Sequence, residues 1–369
     1  MPKIVRLIVA SGETSSDLRY AAGFSAPDEF IWFDDGAGRR GVVMSALEFG
    51  RASRSARPDT EVLPEQQFGV TRLEILSKLA VELRADGYLV PEDFPLLLAD
   101  LLRKNGISVV AHRGPFFPER EFKSSDEVGK IIRSQRAGEA GCRRAFTVLR
   151  ETDIDSAGRL IWNGEVLTSE ILRGEIDLEM VKLGMLPTGT ICAGGEQGSQ
   201  PHNVGSGPLF ANRPIVMDIF PRSAETGYWG DLTRTVVRGR APEIVRKAYD
   251  AVLAARELGK SLIAVGADPA EIHRAAAASM EKAGFRTGQN EKSAFGFFHG
   301  LGHGVGLDIH ESPRLSPRNA NLLRGGEVIT VEPGLYYPEW GGIRLEDLVY
   351  LSPGNGPQCL TELEDFLEL

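Results

Sequence analysis

Cysteine is scarce in this chain, with 3 in 369 residues, at positions 142, 192 and 359. An odd number so widely spaced offers neither a disulfide framework nor the paired spacing of a zinc site, and it points to the reducing cytosol. Cys142 falls with Ala145, Phe146 and Leu149 at helical spacing, the pattern of a small core residue rather than a nucleophile. Long apolar runs are missing too. No stretch approaches the ~20 residues that span a bilayer. The opening residues 1–10, interrupted by Lys3 and Arg6, read as a strand and not as a secretory signal. There is no basic surplus either: 42 Lys and Arg against 51 Asp and Glu give a net charge of −9. That balance excludes nucleic acid or an anionic membrane as a principal partner. What is present, 42% hydrophobic and 25% charged residues with 42 glycines, describes a globular protein. Its length suits two domains.

The segment up to residue 122 alternates strand-like and helix-like stretches, the signature of a small α/β unit. A hairpin is expected from Phe30–Phe33 through Asp35-Gly36 to Val42–Met44. It is followed by helices near 70–84 and 94–104 and strands near 88–90 and 107–111. Residues 112–123, with Pro115 and Pro118, read as the linker, which places the domains at 1–122 and 123–369. Ser124 and Glu127 have capping-box spacing ahead of a long helix running to Leu149. Further helices are expected near 168–183, 242–262 and 268–284. Strands are expected at 214–220, 232–238, 327–332 and 342–351, so the second domain is α+β.

Chemistry concentrates beside those strands. Asp218 closes the apolar run Ile215-Val216-Met217, and Asp231 opens Asp231-Leu232-Thr233-Arg234. Either alone reads as a turn or cap residue. His299 and His303 stand four positions apart in a run of glycines that would break a zinc-protease helix, and Val305 stands where a dinucleotide fingerprint needs its third glycine. Glu332 in Thr330-Val331-Glu332-Pro333-Gly334 and Glu346 in Arg344-Leu345-Glu346-Asp347 put carboxylates on apolar strands. A buried lone carboxylate is costly. An ion pair such as Glu346 with Arg344 is the competing explanation, but it does not cover four carboxylates at once. Four carboxylates and one imidazole make a ligand set for two divalent cations.

In order, an Asp after an apolar strand, D-x-T-R, H-G-x-G-H, T-x-E-P-G and R-x-E-D resemble the pita-bread metallopeptidases, the family of methionine aminopeptidase, aminopeptidase P and prolidase. The resemblance runs from Ser124 onward. It implies two pseudo-symmetric halves forming a curved antiparallel sheet under helices, with metals in the concave face. It also assigns the ligands: Asp218 and Asp231 hold one metal, His303 and Glu332 the other, and Asp231 and Glu346 bridge them. The N-terminal segment, including Asp17–Phe24, resembles the creatinase/prolidase-type domain that methionine aminopeptidases generally lack. Creatinase lacks the ligands complete here, so the resemblance is to Xaa-Pro peptidases, either dipeptidase or aminopeptidase.

That family reading implies hydrolysis of bonds preceding proline by a hydroxide bridging two cations, manganese in the cell, with cobalt, iron or zinc able to substitute. Glu332 carries the proton, His299 and His310 donate hydrogen bonds, and His202, Tyr228 and Arg344 contact substrate or shape the pocket. A peptide substrate, a homodimer and a cytoplasmic location complete it. His112 and His273 receive no role. Two alternatives remain: a broader-specificity or non-peptide hydrolase of the same fold, and an inactive binding protein on this scaffold. A dipeptidase would need a cation for the substrate carboxylate, with Arg314 and Arg318 the candidates. One departure stands out. Asp218 and Asp231 are 13 positions apart, a longer turn than the family usually has, with Phe220 at a position it fills with glycine.

Overall fold

In the strand Phe30–Asp34 every residue but the last is buried. Alternate side chains enter different cores: Ile31 and Phe33 join one apolar cluster, Phe30 and Trp32 another. A strand apolar on both faces belongs to a sheet covered on both sides. The computed structural model describes residues 2–291 and 293–369 and shows two units, meeting between Arg120 and Glu121.

The first unit is built on β1 (Ile4–Ala10), β2 (Phe30–Asp34), β3 (Arg40–Met44), β4 (Glu61–Pro64), β5 (Gly87–Val90) and β6 (Ser108–Ala111), in the order β4-β3-β2-β1-β5-β6. Helices α1 (Ser16–Ala22) and α2 (Ala46–Ser55) supply Leu18, Ala22 and Ala52 to one face. Helices α3 (Arg72–Leu83) and α4 (Leu96–Lys104) supply Ile75, Leu76, Leu79 and Leu102 to the other. The hairpin, α3, α4 and both later strands fall where the sequence pattern puts them; α1 and α2 are additional. A capping box between Thr71 and Glu74 starts α3.

The second unit has two halves of similar plan. In the first, α5 (Ser125–Arg150) and α6 (Ser169–Lys182) cover an antiparallel sheet of Ile191–Gly194, Pro214–Ile219 and Leu232–Val237. Ser124 and Glu127 form the expected capping box, and Cys142 lies fully buried in this half's core. In the second, α7 (Glu243–Leu262) and α8 (Pro269–Lys282) cover Glu311–Leu315, Gly302–Gly304, Val328–Val331, Asp347–Ser352 and Gly356–Cys359. The hairpin Gly334–Tyr337/Gly341–Arg344 joins the halves. There the backbones close up: a Cβ on Gly342 would lie 1.9 Å from the Gly198 carbonyl. Thr235 Oγ1 donates to the Arg344 carbonyl at 2.9 Å and accepts from its N–H at 3.0 Å. Among the described residues no helix is long and apolar enough to cross a membrane.

The stretch 342–351, expected as one strand, is two. Gly341–Arg344 pairs in the hairpin and Asp347–Ser352 in the larger sheet, and Glu346 occupies the passage between them. Its N–H donates to the Thr233 carbonyl at 3.0 Å, carrying the chain from one half to the other.

Candidate metal centre

Asp218 and Thr233 face each other across the regular part of the Pro214–Ile219/Leu232–Val237 ladder. The longer turn therefore leaves Asp218 undisturbed. Its extra residues fold into a small hairpin of their own, with Ser223 N–H donating to the Tyr228 carbonyl and Gly230 N–H to that of Pro221, each at 2.9 Å. That return sets Asp231, 4% exposed, beside α5, where Gln135 Oε1 accepts its N–H at 2.8 Å. His303 sits on Gly302–Gly304, whose glycines admit neighbouring backbone: a Cβ on Gly302 would lie 1.9 Å from the Thr330 carbonyl. Glu332 follows Val328–Val331 and donates its N–H to the Leu301 carbonyl at 2.8 Å.

All five expected ligands line one cavity of about 260 Å³. Asp231, His303 and Glu346 each offer a donor atom within 4.8 Å of the others. His303 Nε2 lies 3.3 Å from Glu332 Oε1 and 3.6 Å from Asp231 Oδ2, and its Nδ1 is 3.2 Å from the Gly304 carbonyl. A proton on Nδ1 leaves the Nε2 lone pair facing the carboxylates, as a metal ligand requires. Asp218 is turned toward protein partners, pairing with the Arg344 guanidinium. The competing Glu346–Arg344 ion pair is thus not the arrangement found. Thr233 Oγ1 joins the two aspects of the site, 2.7 Å from Glu346 Oε2 and 3.1 Å from Asp218 Oδ1, while accepting from Arg344 Nε at 3.1 Å.

The charges are poorly compensated. Burial first, and then the Glu346 charge, push the Asp231 carboxyl well above the usual range. Burial and the charges of Glu332 and Asp218 do the same to Glu346. Asp218 is also raised by burial, against the pull of Arg344. For Glu332 burial acts in the same sense, but His303, His299 and Arg344 together outweigh it, and the carboxyl is held down at about 2. Crowded carboxylates raised in this way are what a divalent cation reverses, so the donor set fits hard cations.

His202 and His310 line the cavity, together with Ile191, Val204, Phe220 and Ile309, and the His310 ring stands 4.4 Å from that of His303. Arg344 lines it as well. Two expected substrate contacts lie elsewhere. His299 is not among the lining residues: its Nε2 is 3.0 Å from Tyr336 Oη and its Nδ1 2.7 Å from the Gly300 carbonyl, so both ring nitrogens have protein partners. Tyr228 donates to Glu127 Oε1 at 2.7 Å, toward α5 and off the cavity wall. Arg314 and Arg318 line a different hollow, with Ser312 and Asn319. Sequence reasoning passed over Thr233, visible only as the middle of D-x-T-R, and over Tyr336 and Gln135, which stand in no motif. Tyr336 Oη accepts from Arg344 Nη1 at 3.0 Å, linking His299 to the guanidinium.

The sequence pattern of Metallopeptidase family M24 matches residues 129–353, more than half of the chain and a span that includes all five expected ligands. The chain belongs to that family. Among curated relatives, the Xaa-Pro dipeptidase of Pyrococcus furiosus is 36% identical over 175 residues, 47% of each chain. A putative dipeptidase of Bacillus subtilis is 32% identical over 246 residues, covering 66% of this chain and 61% of the relative. The chain spans about half the length of the first curated relatives it matches. Among solved structures, a prolidase from Pyrococcus furiosus superposes with a TM-score of 0.81 at 23% identity, over 98% of this chain and 97% of that one. An Xaa-Pro dipeptidase from Bacillus anthracis gives 0.84 at 22%, over 99% and 95%. At such identity the likeness shows the fold, and the fold is the pita-bread arrangement.

Proposed function

We propose that this M24 chain is a di-metal peptidase that hydrolyses the bond preceding proline, using manganese, as a cytosolic homodimer. One observation carries the chemistry: the five expected ligands, four carboxylates and the His303 imidazole, from both halves of the second unit, line a single cavity. Bound cations would supply Lewis acidity and bring the pKa of a water near neutrality. Asp231, His303 and Glu346 would hold them at the centre of the site, with Asp218 and Glu332 at its sides. Glu332, 17% exposed at its side chain, would take a proton from water and return it to the leaving nitrogen. His202 and His310 face the cavity and can donate to the substrate carbonyl or to the charge that develops on it. Ile191, Val204, Phe220 and Ile309 give the cavity an apolar wall suited to a pyrrolidine ring.

The proline preference rests on that wall and on the relatives' names. Release rates on matched Xaa-Pro and Xaa-Ala peptides test it, with about a tenfold or greater advantage for proline expected. Equal rates would favour a broader hydrolase of the same fold. Parallel assays on Xaa-Pro and Xaa-Pro-Yaa separate dipeptidase from aminopeptidase action.

A further inference from the structure

The long turn between Asp218 and Asp231 does more than return the chain. Its hairpin, in which Arg222 bridges Trp229, reaches a second loop. The Trp229 backbone N–H donates to the Gly306 carbonyl at 2.9 Å, and its indole Nε1–H donates to the Leu307 carbonyl at 3.0 Å. The Arg222 guanidinium lies 5.7 Å from the indole centroid. The receiving loop, residues 305–311, is the one that brings Ile309 and His310 to the cavity wall. Its far end is anchored as well. Glu311 pairs with Lys123 at 3.0 Å, their side chains 7% and 1% exposed, and its other oxygen accepts from the Asp308 N–H at 2.9 Å. Gly306 lies so near this carboxylate that a Cβ there would come 2.5 Å from Oε2.

We infer that Trp229 is a positioning residue, through which the lengthened turn between the two aspartates fixes the loop that carries Ile309 and His310. Two consecutive carbonyls of that loop are held by one residue, through its amide and its indole. The lengthened turn and the His310 loop are thereby a single mechanical unit, joined to the cavity by Asp218 and Asp231 at the turn's ends. The catalytic part of the inference rests on the peptidase reading above.

Trp229→Phe keeps an aromatic ring and the backbone N–H and removes the indole donor; Trp229→Met, also without a donor, is the second variant. Hydrogen–deuterium exchange of the manganese-loaded full chain, read by mass spectrometry, should accelerate across 305–311 by about tenfold, the worth of one neutral hydrogen bond, with other peptides unchanged. On an Xaa-Pro substrate kcat should fall by about the same factor, with KM within about twofold and bound metal as in the wild type. Unchanged exchange at 305–311, or faster exchange throughout the unit, would overturn the inference. So would a faster-exchanging loop with unaltered kcat. A wild-type chain that cleaves no peptide would remove the peptidase reading, while the exchange result decides the anchoring by itself.

Discussion

Glu346 and Asp347 are neighbours in sequence, both buried, 2% and 3% exposed, and they stand in opposite electrostatic worlds. Glu346 faces the cavity among other carboxylates, which together with burial push its carboxyl well above the usual range. Asp347 faces away from it. Burial acts on it in the same sense, but Arg234, Arg256 and Lys260 outweigh burial and hold its carboxyl low. Those partners lie at 2.9 Å, 3.3 Å and 2.7 Å. The two networks touch through Arg234, whose Nη1 also donates to the Glu346 carbonyl at 2.7 Å and the Thr233 carbonyl at 3.0 Å. One carboxylate is satisfied by the fold and contributes to it. Its neighbour is left wanting a cation, which is how a site for metal differs from a site for stability.

Mutation should separate the two. Glu346→Gln is expected to lower peptidase kcat/KM by roughly a thousandfold or more, through lost metal. The metal-free variant should unfold at no lower denaturant than the metal-free wild type, because a repelling charge has gone. Asp347→Asn should do the reverse, costing about 3–5 kcal/mol in denaturant unfolding with or without metal, since it leaves buried cations short of a partner. If both variants lose stability equally under chelation, the contrast is void. Thr233→Val removes the hydroxyl beside Glu346 and Asp218 and should weaken metal affinity by about 10- to 100-fold, read by competition with a chelating dye, with a smaller change in stability. Unchanged affinity would make that hydroxyl a packing group.

The shared cavity of the five candidate ligands was legible in the sequence because each stands in a short motif at a strand end or turn, where local residue types carry the chemistry. The passage from hairpin to sheet at Leu345–Glu346 was not legible, since apolar alternation continues through it and only pairing partners reveal the change. Side-chain direction was not legible for a related reason. His299 lies in the same glycine-rich motif as His303, yet its ring meets Tyr336, 37 positions away. Tyr228 likewise finds Glu127 on a helix 101 positions earlier. The cations around Asp347 come from 87 to 113 positions away, with no local trace. The lengthened turn, an irregularity in the sequence, proves to be ordered structure that leaves Asp218 in register.

On this reading the cavity's poorly compensated carboxylates hold two divalent cations. Elemental analysis of the full chain after chelation, manganese loading and desalting tests it most directly. About two manganese ions per wild-type chain and fewer than one per Glu346→Gln chain are predicted. A wild type that retains no metal, or a variant that retains as much as the wild type, would contradict it.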